Sequence, residues 1–444
     1  LSVSGIARQH RYDSSLSLQS TSAVLRNAII CFLFLTFLPV VASAERIRPV
    51  TPEKVGVSSE RLQLVDALMD RYIEAGRIPG MVLMITRNGR LVQRRAVGTL
   101  GVGRDDPMQM DSLFRIYSQT KAITAVAALV LYEEGHFQLY DPVSKYLPAF
   151  ANMQVRVDGE TRPAERVMTI HHLFTHMSGL GYGGDYADLP AYEALKIGES
   201  ETLDEFVGRL AQLPLLYEPG TDWHYSYATD VLGALVEKIS GQSLGDFMKA
   251  RIFDPLEMKD TFFELPADKV SRLTSNYAWD GEAKEMVPVS VPPFKQGYRV
   301  APFDSGGGGL ISTAPDYLRF LEMLRREGSL GDVRILGPKT VKFMMKDHLP
   351  RRISDANIGP GYDPMLGLGA GHGLGIGVYI DPVRRGVLSS AGENDWGGAA
   401  GTVYWIDPVE NVVVVGMIQL FSRPFPFRDD LSVAFYQSLF ESYE

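Results

Sequence analysis

Ser118-Gln119-Thr120-Lys121-Ala122-Ile123-Thr124-Ala125-Val126-Ala127-Ala128-Leu129 is the stretch from which the rest of the chain can be read. The sequence predicts a helix from about Phe114 to Glu134, closed by Gly135, in which a hydroxyl and an amine three residues apart project from one face. Nearly every residue after Lys121 is apolar, so the segment reads as a helix running through a core. A serine hydroxyl is a poor nucleophile until a base takes its proton. A lysine can be that base only if burial or nearby positive charge lowers its pKa from about 10.4. Four residues are a weak pattern by themselves. Here the pattern occurs once, opens an apolar helix and follows a predicted hairpin, and that context gives it weight.

Upstream, Leu62, Leu64, Val65, Leu68, Met69 and Tyr72 recur at helical spacing behind a Ser58 or Ser59 cap, which predicts an amphipathic helix to Glu74. Met81–Thr86 and Leu91–Val97 are apolar, partly β-branched runs separated by a turn containing Asn88-Gly89, the signal of a two-stranded hairpin. Downstream, residues 141–293 are rich in Leu, Ala, Pro and Gly with short helical periods and read as a mostly helical insert. The last third carries Gly306-Gly307-Gly308-Gly309, a helix from Ala314 to Glu327, strand-like runs at 375–380, 401–406 and 412–418, and a closing helix from about Leu431 to Phe440. Strands at both ends around a helical middle predict an α+β fold, with one antiparallel sheet built from both chain ends and flanked by helices. The expected division is a discontinuous α/β domain, 45–140 and 294–444, with a helical domain at 141–293.

The chain has 444 residues, a formal net charge of −9, 45% hydrophobic and 22% charged residues. It is long enough for a large core, ordinary in composition and without the basic footprint of a nucleic-acid binder. Residues 1–44 read as an upstream segment and a signal peptide, with basic Arg26, an apolar run and the small-residue end Ala42-Ser43-Ala44. That run is shorter than the roughly 20 residues needed to span a bilayer. The expectation is an exported protein, periplasmic or secreted, with no stable membrane insertion once the signal is cleaved. The one cysteine, Cys31, falls in this segment, so the mature chain would have neither a disulfide nor a thiol nucleophile.

Two further segments speak to chemistry. Pro219-Gly220 precedes Thr221-Asp222-Trp223-His224-Tyr225-Ser226-Tyr227, and Trp396-Gly397-Gly398-Ala399-Ala400-Gly401 leads into Thr402-Val403-Tyr404-Trp405-Ile406-Asp407-Pro408. With Ser118 and Lys121, and with Leu173–Leu180, Ile239–Leu244, Phe253–Met258 and Gly306–Leu310 in the same order, they span about residues 58–420. The chain resembles the serine β-lactamase-like and penicillin-binding-protein-like hydrolases, closest to the class C-like esterases called family VIII.

The resemblance implies the β-lactamase/transpeptidase-like fold, an acyl-enzyme on Ser118, Lys121 as base and Tyr225 moving protons. It also implies an oxyanion hole from the backbone N–H groups of Ser118 and Ala399, and substrate contacts from Trp396, Gly397, Gly398 and Tyr227. A tyrosine beside a cationic lysine can lose its proton more readily, the physical basis of the Tyr225 role. Three positions depart from the family pattern: Tyr227 stands where an Asn is usual, and Trp396 and Gly397 replace the Lys or His and the Thr before the glycine Gly398. No metal or cofactor is expected.

Other matches are decoys. Gly241-Gln242-Ser243-Leu244-Gly245 fits a nucleophile elbow, but a helical period precedes it where a strand is required, so Gly241 reads as a helix stop and Ser243 as a cap. His172 and His176 have zinc-pair spacing without a following Glu or a third ligand. The four glycines have no Lys after them and read as close backbone packing, not as a phosphate loop.

Relatives with a cation at the Trp396 position can attract a substrate carboxylate. An indole flanked by Glu393 and Asp395 instead predicts uncharged, apolar groups, hence short-chain carboxylic esters. A β-lactamase, a D-Ala-D-Ala carboxypeptidase-type peptidase and a transacylase stay open, as does a ligand-binding module that has lost turnover.

Overall fold

The computed structural model describes residues 44–289, 298–350, 353 and 366–443. The signal-like run and Cys31 lie outside these residues. Ser58 Oγ accepts the Arg61 amide and starts α1, Ser59–Glu74. The hairpin follows as β1, Gly80–Arg87, and β2, Arg90–Gly98, around Asn88 and Gly89 at φ 54° and 71°. Two consecutive left-handed residues match the twist of the strands they join, which is why an Asn-Gly pair sits there.

Five more strands complete the sheet: β3, Ala370–His372; β4, Gly377–Tyr379; β5, Asn394–Gly397; β6, Val403–Asp407; and β7, Val412–Met417. Their order is β3-β4-β5-β6-β7-β1-β2, every neighbouring pair antiparallel. Val82 faces Met417 and Arg87 faces Val412, so the sheet is built from both ends of the chain.

Side chains alternate along a strand, and here both faces are covered. Val82, Met84, Tyr404, Ile406, Val413 and Val415 join one core. Met81, Leu83, Ile85, Val403, Trp405, Val412 and Val414 join the other. This is why the runs read as almost continuously apolar, without strict alternation. The second core is closed by α1 and the last helix, Phe427–Tyr436. The first is closed by α2, Thr120–Glu133; α3, Ala228–Ser240; and α4, Ala314–Arg325. Each fully buried Val or Leu contributes roughly 1.5–3 kcal/mol relative to exposure.

The structure corrects several boundaries. The helix expected from Phe114 begins at Thr120. Phe114–Arg115 pairs with Ile311–Ser312 as a short strand, and Tyr117–Gln119 is a 3₁₀ turn. Tyr117 has φ 43°, a left-handed conformation that a helix cannot continue through. The closing helix lies four residues before its expected place. The middle of the chain also holds two hairpins, Gln154–Val157 with Glu160–Pro163 and Tyr277–Asp280 with Glu285–Pro288, whose polar residues hide the strand pattern. No helix among the described residues is long and apolar enough to cross a membrane.

Candidate active site

Ser118 sits half-buried in the turn before α2. The strained residue ahead of it is clamped: the Asn276 amide donates to the Tyr117 hydroxyl at 3.0 Å, and Phe421 packs edge-on against the ring at 5.2 Å. Lys121, one turn on, is 2% exposed. Its Nζ donates to Gly307 O at 2.6 Å, to Tyr182 Oη at 3.0 Å and to Ser118 Oγ at 3.3 Å. An ammonium has a proton for each of these three acceptors. A neutral amine would keep two for Gly307 and Tyr182 and turn its lone pair to Ser118, the arrangement a base needs.

Aromatic rings enclose the amine. Lys121 Nζ lies 4.6 Å from the centre of the Tyr225 ring, a cation–π contact. Tyr225 packs on His176 at 4.8 Å and on Tyr182 and Trp396 at 5.4 Å each. Trp396 Nε1 donates to Tyr225 Oη at 3.3 Å. The indole therefore touches the phenol itself as well as walling the site. Beyond it lies an apolar cluster of Met177, Trp223, Leu349, Leu366, Ala370 and Tyr379.

Trp396 and Gly397 end β5, and the Gly398–Gly401 turn follows, closed by Gly398 N on Thr402 O and Gly401 N on Gly398 O, each 2.8 Å. A Cβ on Gly398 would stand 2.5 Å from Ile116 O. Only glycine lets this strand end press against the backbone two residues before Ser118, and Ala399, next in the turn, is exposed. Tyr227 stands apart from the amine. It packs on Tyr182 at 4.5 Å and Phe206 at 5.1 Å, and burial, with Tyr192 and Asp230 nearby, pushes its phenol up to about 12. It buttresses Tyr182 from behind.

The acidic flank of Trp396 is engaged by other side chains. Asn394 and Trp396 share one face of β5. Asp395 takes a 2.7 Å hydrogen bond from Tyr379 Oη, while Glu393 is buried against Arg428 and Tyr436. Burial pushes the Glu393 carboxyl up to about 8 against the pull of Arg428. Both carboxylates are thus engaged by other groups, and the neutrality of Trp396 is the stronger argument about substrate.

The sequence reading missed Tyr182, Asp230 and Gly307. Burial and the neighbouring Tyr225 and Asp230 raise the Tyr182 phenol well above its ordinary range, so it stays protonated while it accepts from Lys121. Its one signal is an aromatic among glycines, Gly181-Tyr182-Gly183-Gly184, with Asp185 three residues on accepting the Tyr182 amide at 2.6 Å.

The histidines are structural. His172 Nδ1 accepts the Thr169 amide in a helix cap and His176 Nδ1 accepts the Ser226 amide. Burial holds His176 well below, and His372 at about 4 instead of, the usual 6.5. Among the described residues no three His, Cys, Asp or Glu side chains gather around a metal position. Ser243 Oγ accepts the Asp246 amide as a helix cap, and Gly241 ends α3 at φ 70°.

A model of the Beta-lactamase family matches residues 65–437. Protein Rv1367c of Mycobacterium tuberculosis is 35% identical over 359 residues, 78% of this chain and 87% of that protein. Esterase EstB of Burkholderia gladioli is 33% identical over 365 residues, 77% and 86%. Among solved structures, EstCE1, described as a hydrolase with promiscuous acyltransferase activity, superposes with a TM-score of 0.73 at 29% identity, covering 85% of this chain and 99% of that one.

Proposed function

The chain belongs to the Beta-lactamase family, and within it we propose a serine carboxylesterase that cleaves short-chain esters through an acyl-enzyme on Ser118. The observation that carries the reading is the amine: Lys121 Nζ lies within reach of Ser118 Oγ and is held by Gly307 and Tyr182. Ser118 Oγ attacks the ester carbonyl as its proton passes to Lys121. The oxyanion is met by the N–H groups of Ser118 and Ala399. On collapse the alcohol leaves with a proton from Tyr225, which Lys121 restores from the one it took; water then loses a proton to Lys121 as it attacks the acyl group, and that proton returns to Ser118 Oγ as the acid leaves.

An ester is favoured over a β-lactam or a peptide because the indole of Trp396 takes the place of a cation and backs onto the apolar cluster of Met177, Trp223 and Leu349. Such walls suit uncharged acyl or alcohol groups. Similarity to the EstB esterase supports the same substrate class. Acyl transfer to an alcohol is the second reading, favoured by the acyltransferase activity described for EstCE1. Export rests on the pattern of residues 26–44.

The test is parallel kinetics on p-nitrophenyl butyrate and a chromogenic cephalosporin. Turnover of the ester that disappears in Ser118→Ala, with little cephalosporin hydrolysis, is expected. Full ester turnover by Ser118→Ala would overturn the reading.

A further inference from the structure

Asp230, in the first turn of α3, is 3% exposed. A carboxylate early in a helix is ordinary, but this one is engaged by a different segment. Its Oδ1 accepts Ser305 Oγ at 2.5 Å and Gly307 N at 3.0 Å, and the carbonyl of the same Gly307 accepts Lys121 Nζ at 2.6 Å. A single residue, Gly307, thus links a buried carboxylate to the proposed base. Any side chain on Gly307 would collide with Asp230, so glycine is what allows the segment to approach this closely.

Building on the Ser118 reading, we propose that Asp230 is the positioning residue of the base: it anchors the Gly307 segment whose carbonyl holds Lys121, and its charge governs how readily Lys121 gives up a proton. Lys121 faces Ser118, Tyr182, Tyr225 and, more distantly, His176 and His372. Asp230 faces Lys121, Tyr182, Tyr227 and Ser305. The two histidines are neutral through burial, and the phenols of Tyr182 and Tyr227 stay protonated. Asp230 is therefore the one carboxyl among these groups. Burial raises its carboxyl on balance, against the pull of Lys121, Ser305 and the Gly307 amide. An anion near an ammonium favours the protonated amine. The site thus gives up free amine at low pH for a lysine held in one place.

The test is the pH profile of kcat/KM for p-nitrophenyl butyrate in Asp230→Asn, which keeps the shape and an acceptor oxygen but removes the charge. The acid limb, where the base becomes protonated, should move down by about 1 pH unit, the effect of removing one partly shielded charge. Ser305→Ala, which withdraws one donor and leaves the carboxylate easier to neutralise, should move it the same way by less. This second variant serves if Asp230→Asn melts too low to assay. A residue with a merely structural role would lower activity at every pH and leave the limb in place, and that result in both variants would overturn the proposal. Ser118→Ala run alongside separates the two claims. An inert Ser118→Ala with unmoved limbs refutes only the role of Asp230, whereas an active Ser118→Ala removes the reading on which it rests.

Discussion

Replacing Trp396 with Phe isolates one hydrogen bond. The indole N–H stands 3.3 Å from the Tyr225 oxygen, beyond the 2.9–3.0 Å typical of such bonds, so it contributes little while the phenol is neutral. If, as proposed, Tyr225 passes its proton to the leaving alcohol, the acceptor becomes an anion, and a bond to a charged group is worth about 1.5–3 kcal/mol. Lost only in the transition state, that is about 10- to 100-fold in kcat. A phenyl ring keeps most of the packing against Tyr225 at 5.4 Å and His372 at 5.6 Å, so KM should stay within about threefold. Steady-state kinetics on p-nitrophenyl butyrate, with thermal unfolding to show that the fold is intact, measures this directly. A kcat within twofold of the parent protein would refute the reasoning and leave Trp396 as a wall only.

Gly398→Ala should lose about 10²-fold or more in kcat with the fold retained. The new methyl group would meet Ile116 O and move the Ala399 turn away from the proposed oxyanion position; full activity would show that this strand end takes no part in catalysis. Acidification should destabilise the protein between pH 6.5 and about 4. His171, His172 and His372 are each held down to about 4 by burial, so the unfolded chain binds more protons in that window and stability falls as pH falls. For the fully buried His372 the loss is about 3 kcal/mol across it. Denaturant midpoints that do not change from pH 7 to 4.5 would contradict this.

What could be read from the sequence was whatever a short window determines. Asn88-Gly89 set a turn, Ser58 a cap, and the apolar run after Lys121 a buried helix, and the structure contains all three. Trp396 and Tyr225 were singled out separately, and the structure brings them into contact. What escaped depends on partners far along the chain. β5 is Asn-Asp-Trp-Gly, a poor strand former, and it is a strand because Val403–Ile406 pairs with it. Glu393 reads as an acidic neighbour of Trp396, and only the fold brings Arg428, 35 residues away, against it. Tyr182 belongs to no periodic element, and only the fold places its hydroxyl beside Lys121. Ser118 was drawn on a helix because nothing local announces the left-handed Tyr117 before it.

The pairing of β1 with β7 ties residue 82 to residue 417, and this fixes when in its own synthesis the protein can become active. A ribosome that has released the first three hundred and fifty residues has already made Ser118, Lys121 and Tyr225, yet β5 with its Trp396 and the Ala399 turn does not exist. The strand that joins this wall to the first hairpin is made later still. Contacts so distant along the chain form late and slowly. The proposed nucleophile therefore emerges long before the surroundings that would make it dangerous, and a chain cut short of β7 should be inert, not partly active.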